Sequence, residues 1–465
     1  MIRIFLFFIL FLGVAKYSTA QSKNLFYMLE GFNGDKAILY SINGDYVKPI
    51  DTAYRQSTGS YVFFGIDKYK PGVYNIYFSD SLYTEVIINN EDIVINANSK
   101  NLLTSINVSK SVENKILFDY WKYAISVKDS ILIYEYQIRK IELKTYDSNH
   151  PKIKSMEKRI AELNQDIYKY ISNQLSAYPN RFAPILLKSY LLPNMQEYNT
   201  INTEHKYYNE KAFLKDHYFD NIDFTDERFL RTKVLYTVIN EYIQTYGIPA
   251  STLTYNNVVD KVMSTAAAND KIYEYCLDLF FRTFESSVFE SVMVHLIDDY
   301  YLPHYALSGV NTTYYSNLSD RIKALRLGKK APNIILNDNQ GVSHNMYKTK
   351  AKAKMIVFYS SDCSHCKDAL PGLLEIAEMY KSQGLVTFGL AIDDDEKIWK
   401  DEIIEYNMNW ISVSDLKGLS SPIVQEYNIQ FTPFIFILNE DNVIMKKPIE
   451  LNDIHSTLVQ LLNDI

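Results

Sequence analysis

Cysteine is scarce, with three residues in a chain of 465. So few thiols exclude a disulfide-stapled scaffold, which carries several bridges in a short chain. Beyond the first twenty residues, no apolar run approaches the roughly 20 residues that a membrane-spanning helix needs. Basic clusters are missing as well. With 48 Lys and Arg against 55 Asp and Glu, the formal charge is −7. A mildly acidic chain of this kind is a poor partner for nucleic acid or anionic lipid. Its length implies about two to four domains.

The one long apolar stretch is N-terminal. Arg3 precedes an apolar segment from Ile4 to Ala15, and Ser18-Thr19-Ala20 offers small residues for cleavage. This pattern predicts a signal peptide over residues 1–20, cut after Ala20, and hence a periplasmic or cell-envelope protein. No cysteine lies near the cut, which excludes a lipoprotein anchor. In an oxidising compartment, a close pair of cysteines is either a redox centre or a closed disulfide.

Three compositional regimes follow. Over 21–100, runs such as Tyr61–Phe64 and Val73–Phe78 alternate with the turn signals Asn43-Gly44-Asp45 and Pro71-Gly72. They predict a small antiparallel β domain, a sandwich or barrel. Over 101–324 the period becomes helical. Ile116, Tyr120, Tyr123, Val127, Ile131, Tyr134 and Ile138 mark one long helix, and Ile153–Leu175 marks a second after His150-Pro151. A third helix is expected to start with Thr225 as its cap and to run through Leu230, Val234, Val238 and Tyr242. Cys276 sits among Tyr275, Leu277 and Phe280 and reads as a small buried hydrophobe. Over 325–465, strands and helices alternate, predicting an α/β domain with helices on both faces of a mixed sheet.

The chemistry concentrates in Cys363-Ser364-His365-Cys366, directly after the apolar run Met355–Tyr359. Two sulfurs one helical turn apart, at a helix start, can open and close a disulfide ring. Together with Gly328-x-x-Ala331-Pro332, Pro371 and Thr432-Pro433, this segment resembles the thioredoxin superfamily, in its exported TlpA/ResA-like branch. The whole layout resembles multidomain Bacteroidetes envelope proteins. The resemblance implies a thioredoxin-like fold for 325–465 and thiol–disulfide oxidoreductase activity. It implies that Cys363 attacks and Cys366 resolves, the two forming the redox-active disulfide. It also implies that Thr432 and a cis Pro433 bind substrate. His365 between the cysteines is expected to favour the Cys363 thiolate, whereas the Asp362 carboxylate opposes it. At two positions where relatives carry a proton-handling acid, this chain has Val357 and Ala369, so no acceptor is named.

The expected partners are protein dithiols and disulfides and a membrane redox protein, with no cofactor, metal or nucleic acid. Cys363, His365 and Cys366 offer at most three ligands in one turn, short of a zinc site. Tyr359-Ser360-Ser361-Asp362 lacks the threonine and proline of a peroxidase. The alternative is an envelope binding or scaffolding protein with an auxiliary redox domain.

Overall fold

The structure is a computed structural model that describes residues 22–285 and 288–463. The expected leader at 1–20 lies outside the described residues. Two compact units divide the chain. One comprises the residues up to Gln244 with Thr265–Ile272, and the other Thr245–Ser264 with Tyr273–Ile465.

The first unit begins with strands β1 (Asn24–Glu30), β2 (Lys36–Asn43), β3 (Tyr46–Tyr54), β4 (Ser60–Phe64), β5 (Gly72–Ser79), β6 (Leu82–Ile88), β7 (Ile93–Asn98) and β8 (Asn107–Lys110). They form two four-stranded sheets, ordered β4-β1-β7-β8 and β3-β2-β5-β6. Alternate residues such as Leu25, Tyr27 and Leu29 in β1, or Ile93, Ile95 and Ala97 in β7, enter a single core with Leu39, Phe63, Ile76 and Val86. Period-two burial of this kind makes a sandwich. One pair departs from the antiparallel expectation, because β1 runs parallel to β7. No hairpin joins these strands, so turn signals say nothing of their direction.

Helices follow: the short α1 (Leu102–Ser105), α2 (Val112–Thr145), α3 (Pro151–Ala177), α4 (Phe182–Lys188), α5 (Met195–Ile201), α6 (Glu210–His217) and α7 (Val234–Tyr246). The α2 and α3 pair is the expected hairpin. Tyr146 ends α2 in the left-handed conformation, and His150 caps α3 with Pro151 at its first turn, where proline lacks only an N–H that is unpaired anyway. The third helix starts later than expected. Asp226, not Thr225, caps a short 3₁₀ turn at Glu227–Arg231. The Thr232 hydroxyl then accepts the Val234 N–H, and α7 begins there. Thr225 is instead tied to the Asp223 carboxylate through its own N–H and hydroxyl.

The second unit contains most of α8 (Thr252–Ala266) and of α9 (Asp270–Phe284), with α10 (Glu290–His295), α11 (Leu302–Tyr305) and α12 (Thr313–Ala324), then the α/β region. Its strands are β9 (Ile335–Asp338), β10 (Ser343–Asn345), β11 (Ala353–Tyr359), β12 (Leu385–Ala391), β13 (Ile411–Ser414), β14 (Phe434–Asn439) and β15 (Ile444–Lys446). Its helices are α13 (Ser364–Lys381), α14 (Glu396–Glu405), α15 (Pro422–Glu426) and α16 (Leu451–Asn463). The sheet order is β10-β9-β13-β12-β11-β14-β15. Every residue of β11 is buried, as its unbroken apolar run requires of a central strand. Leu373, Ile376 and Tyr380 of α13, with Ile454 and Leu458 of α16, pack on Met355 and Val357. Val424 and Tyr427 cover the opposite face at Ile356 and Phe358. The fold is thus a β domain, a helical region and a C-terminal α/β thioredoxin-like domain. Among the described residues, no helix is long and apolar enough to cross a membrane.

Candidate active site

The central strand delivers the dithiol. β11 ends at Tyr359, a three-residue turn follows, and Cys363 is the N-cap of α13 with extended backbone. Its sulfur takes the role an N-cap oxygen usually plays, accepting the Cys366 N–H at 3.3 Å. The free N–H groups and the positive end of the helix dipole stabilise negative charge on that sulfur. Cys366, one turn on, is fully buried against Tyr359, Leu370 and Trp399. Both are thiols in this structure.

Register brings the second half of the site into place. β14 pairs antiparallel with β11, with Phe358 opposite Phe434. The residues just before β14 therefore meet the residues just after β11. The Thr432–Pro433 bond is cis, and the Thr432 carbonyl accepts from the Cys363 sulfur at 3.3 Å.

The two sulfurs differ. Burial acts to raise the Cys363 pKa, but hydrogen bonds from the Cys366 thiol, the Thr432 hydroxyl and the N–H groups of Cys366 and His365 outweigh it. The net direction is below the ordinary thiol value. Burial, with the hydrogen bond to Cys363, pushes the Cys366 thiol up to about 12. The outer thiol thus ionises more readily than the inner one, and the thiolate is the nucleophilic form of a cysteine. His365 contributes through its backbone N–H, while its side chain is exposed, as is that of Asp362.

Val357 is buried in the apolar core beneath α13, and Ala369 packs at its edge. The acids near the dithiol come from elsewhere. Asp393, just past β12, and Glu402, on α14, are both nearly buried. The Ser361 hydroxyl bridges them, 2.9 Å from Asp393 and 2.6 Å from Glu402. Sequence reasoning passed over both. The available signals were an Asp closing an apolar strand and a Glu three residues past Trp399 on a buried helical face. Cys276 is fully buried, and burial pushes its thiol up to about 12, so it behaves as a small hydrophobe.

A protein-family model described as Redoxin matches residues 326–462. The chain is similar to the thiol-disulfide oxidoreductase ResA of a Bacillus cereus strain, 26% identical over 136 residues, which is 29% of this chain and 76% of that protein. It is also similar to a solved thiol:disulfide interchange protein from a Bacteroides species, 27% identical, covering 30% of this chain and 92% of that one, with a TM-score of 0.28. A thioredoxin-like protein from Bacteroides caccae is 19% identical, covering 54% of this chain and 92% of that one, with a TM-score of 0.42. The C-terminal domain belongs to the thioredoxin superfamily. It is a thioredoxin-like thiol–disulfide oxidoreductase.

Proposed function

We propose that the protein is exported and exchanges disulfides with envelope proteins through the Cys363-Ser364-His365-Cys366 dithiol. The observation that carries this reading is the inequality of the two sulfurs: one at a helix N-cap with its pKa lowered, the other buried with its pKa raised. In the reductive direction, the Cys363 thiolate attacks a substrate disulfide. One substrate sulfur leaves with the electron pair of the broken bond, and a mixed disulfide forms at Cys363. Cys366 then attacks the Cys363 sulfur, releasing the second substrate thiol and closing the enzyme's own disulfide. The reverse sequence oxidises a dithiol. His365 between the cysteines is proposed to favour the Cys363 thiolate, against the opposing carboxylate of Asp362.

Thr432 and Pro433 are the proposed substrate platform, since exposed backbone beside the dithiol can pair with an extended peptide whatever its side chains. Restriction of substrates by the preceding segments has a concrete basis. A cavity of about 320 Å³ beside Pro433 is lined by Phe431, Phe434 and Leu373, and on another side by Val288 and Phe289, which precede α10. Glu290 pairs with Lys447 at the same cavity. A membrane redox protein is the proposed electron partner.

Insulin reduction by the mature protein with dithiothreitol tests the activity. Turnover above the buffer rate supports it, and no turnover with both thiols free refutes it. The alternative, an envelope binding or scaffolding protein with an auxiliary redox domain, draws on a cavity of about 250 Å³ in the first unit, lined by Tyr190, Tyr218 and Leu192 with Glu85 and Glu241.

A further inference from the structure

A guanidinium carries N–H donors and no acceptor, and burying one of those donors without a partner is costly. Arg321 on α12 is in that position. Its Nε is buried with no hydrogen-bond partner, and its guanidinium forms no ion pair among the described residues. By contrast Lys323, on the same helix, is paired with Asp298 at 2.6 Å. Arg321 lines a cavity of about 520 Å³ that lies wholly within the second unit. The other polar side chains of its wall are Tyr314 and Asn317 of α12, and Gln425, Asn428 and Gln430 at the end of α15 and just beyond it. Among the described residues no carboxylate lines this cavity. Glu285 and Glu290 line a smaller cavity that also touches Arg321, but Glu290 is taken by Lys447 and Glu285 is exposed. The Glu426 carboxylate acts on Tyr347 and Tyr427 instead.

The chain between α15 and β14 adds neutral donors. Asn428 takes the left-handed conformation, a common way to end a helix. The Ile429 N–H closes that turn on the Val424 carbonyl at 3.0 Å. Gln430 Nε2 donates to Asn428 Oδ1 at 3.2 Å. That contact spends one N–H of the amide pair, so others remain to donate to a ligand. A guanidinium fork beside amide donors, with no acid to neutralise it, is suited to a carboxylate or another oxyanion.

The same segment leads to the dithiol. Gln430 precedes Thr432 by two residues, a separation of at most about 7 Å, and the Thr432 carbonyl meets the Cys363 sulfur at 3.3 Å. A peptide extended along Thr432 and Pro433 therefore reaches the cavity with a side chain about two to four residues from its cysteine. We infer that this cavity is a subsite for an acidic side chain of the substrate, whose carboxylate is bound by Arg321 and by the amides of Asn428 and Gln430. Such a subsite rests on the oxidoreductase reading and adds a substrate class to it: disulfides flanked by Asp or Glu. Overall charge does not supply this preference. The chain carries a formal charge of −7, so its long-range field opposes an acidic substrate, and a local cation has to reverse that.

The test uses the reduced full chain and two peptide disulfides that differ only in carrying Glu or Gln around the cysteine, with loss of the disulfide followed by chromatography. The wild type should reduce the Glu peptide about 10-fold faster than the Gln peptide at low salt, the scale of one charge-assisted hydrogen bond. That ratio should fall as salt is raised. Arg321→Gln should bring it to about one. Asn317 is exposed and lies four residues before Arg321 on α12. Asn317→Asp therefore places a carboxylate where it can pair with the guanidinium, on a surface that tolerates the change, and it too should bring the ratio to about one. Equal rates for the two peptides in the wild type overturn the inference and leave the oxidoreductase reading intact. So does a ratio that survives in Asn317→Asp or in folded Arg321→Gln, which would assign the preference to a cation nearer the dithiol, such as Lys367. Inorganic phosphate that raises the melting temperature of the wild type and not of Arg321→Gln, with equal peptide rates, would make this a site for a free oxyanion and also overturns the inference. Reduction of neither peptide, with both thiols free, overturns the oxidoreductase reading itself.

Discussion

The carbonyl of Thr432 accepts a hydrogen bond from the sulfur of Cys363 across 3.3 Å, though the two residues are 69 positions apart in the chain. Sheet register produces this contact. With Phe358 paired to Phe434, the turn after β11 and the turn before β14 have to meet at the same end of these two strands. The first carries the dithiol and the second carries the cis proline.

The Thr432 side chain acts on the Cys363 sulfur as well, its hydroxyl lowering that thiol's pKa. Thr432→Val keeps the β-branched shape and removes the donor. A hydrogen bond to a charged group is worth about 1.5–3 kcal/mol. Alkylation of Cys363 by iodoacetamide at neutral pH should therefore slow about 10-fold, and its pH midpoint should move upward. Unchanged alkylation kinetics would remove Thr432 from the account of thiolate stability.

Glu402 links the site to stability. Burial raises its pKa in the folded state above the unfolded value of about 4.3. The folded state thus binds the proton more tightly, and that contribution is fully present below the unfolded value. It is lost as pH rises through the folded value. Glutamine cannot titrate. The melting temperature of Glu402→Gln minus that of the wild type should become more positive as pH rises from 4 toward neutrality and beyond, by about 2–4 °C for each kcal/mol. Asp393, also raised by burial, contributes with the same sign in both proteins. A difference that stays flat with pH contradicts the assignment.

Val288 faces the cavity beside Pro433 while remaining 45% exposed, so a charge there is tolerated by the fold. Val288→Asp should raise KM about 10-fold for a peptide disulfide flanked by large apolar residues, since each buried methylene is worth about 0.8 kcal/mol. Turnover of glutathione disulfide should be unaffected, because that substrate has no large apolar side chain to fill the cavity. Equal losses for both substrates would mean that the variant disturbs the dithiol itself.

Much of the α/β domain was legible because its signals are local. The unbroken apolar run at Met355–Tyr359 specifies a strand buried on both faces, and Cys363-x-x-Cys366 follows it directly. The later strands and helices each carry their own period. What was not legible depends on pairings between distant residues. The parallel alignment of β1 with β7 is set by packing across the sandwich and by no turn. The β9 and β10 ribbon has strands of four and three residues, too short for alternation to show. The start of α7 turns on which of several capping residues wins, and Asp226 and Thr232 win over Thr225. Asp393 and Glu402 lie about 30 to 40 positions from the cysteines in sequence, and the turn at Ser360-Ser361 joins them to the dithiol.

The central claim is that Cys363 attacks and Cys366 resolves. It is tested most directly by trapping mixed disulfides with a disulfide-bonded substrate protein and mapping the linked peptides by mass spectrometry. Cys366→Ser should accumulate a substrate bonded at Cys363, and Cys363→Ser should accumulate none. Accumulation at Cys366 in the Cys363→Ser variant, to the same extent, would contradict the account.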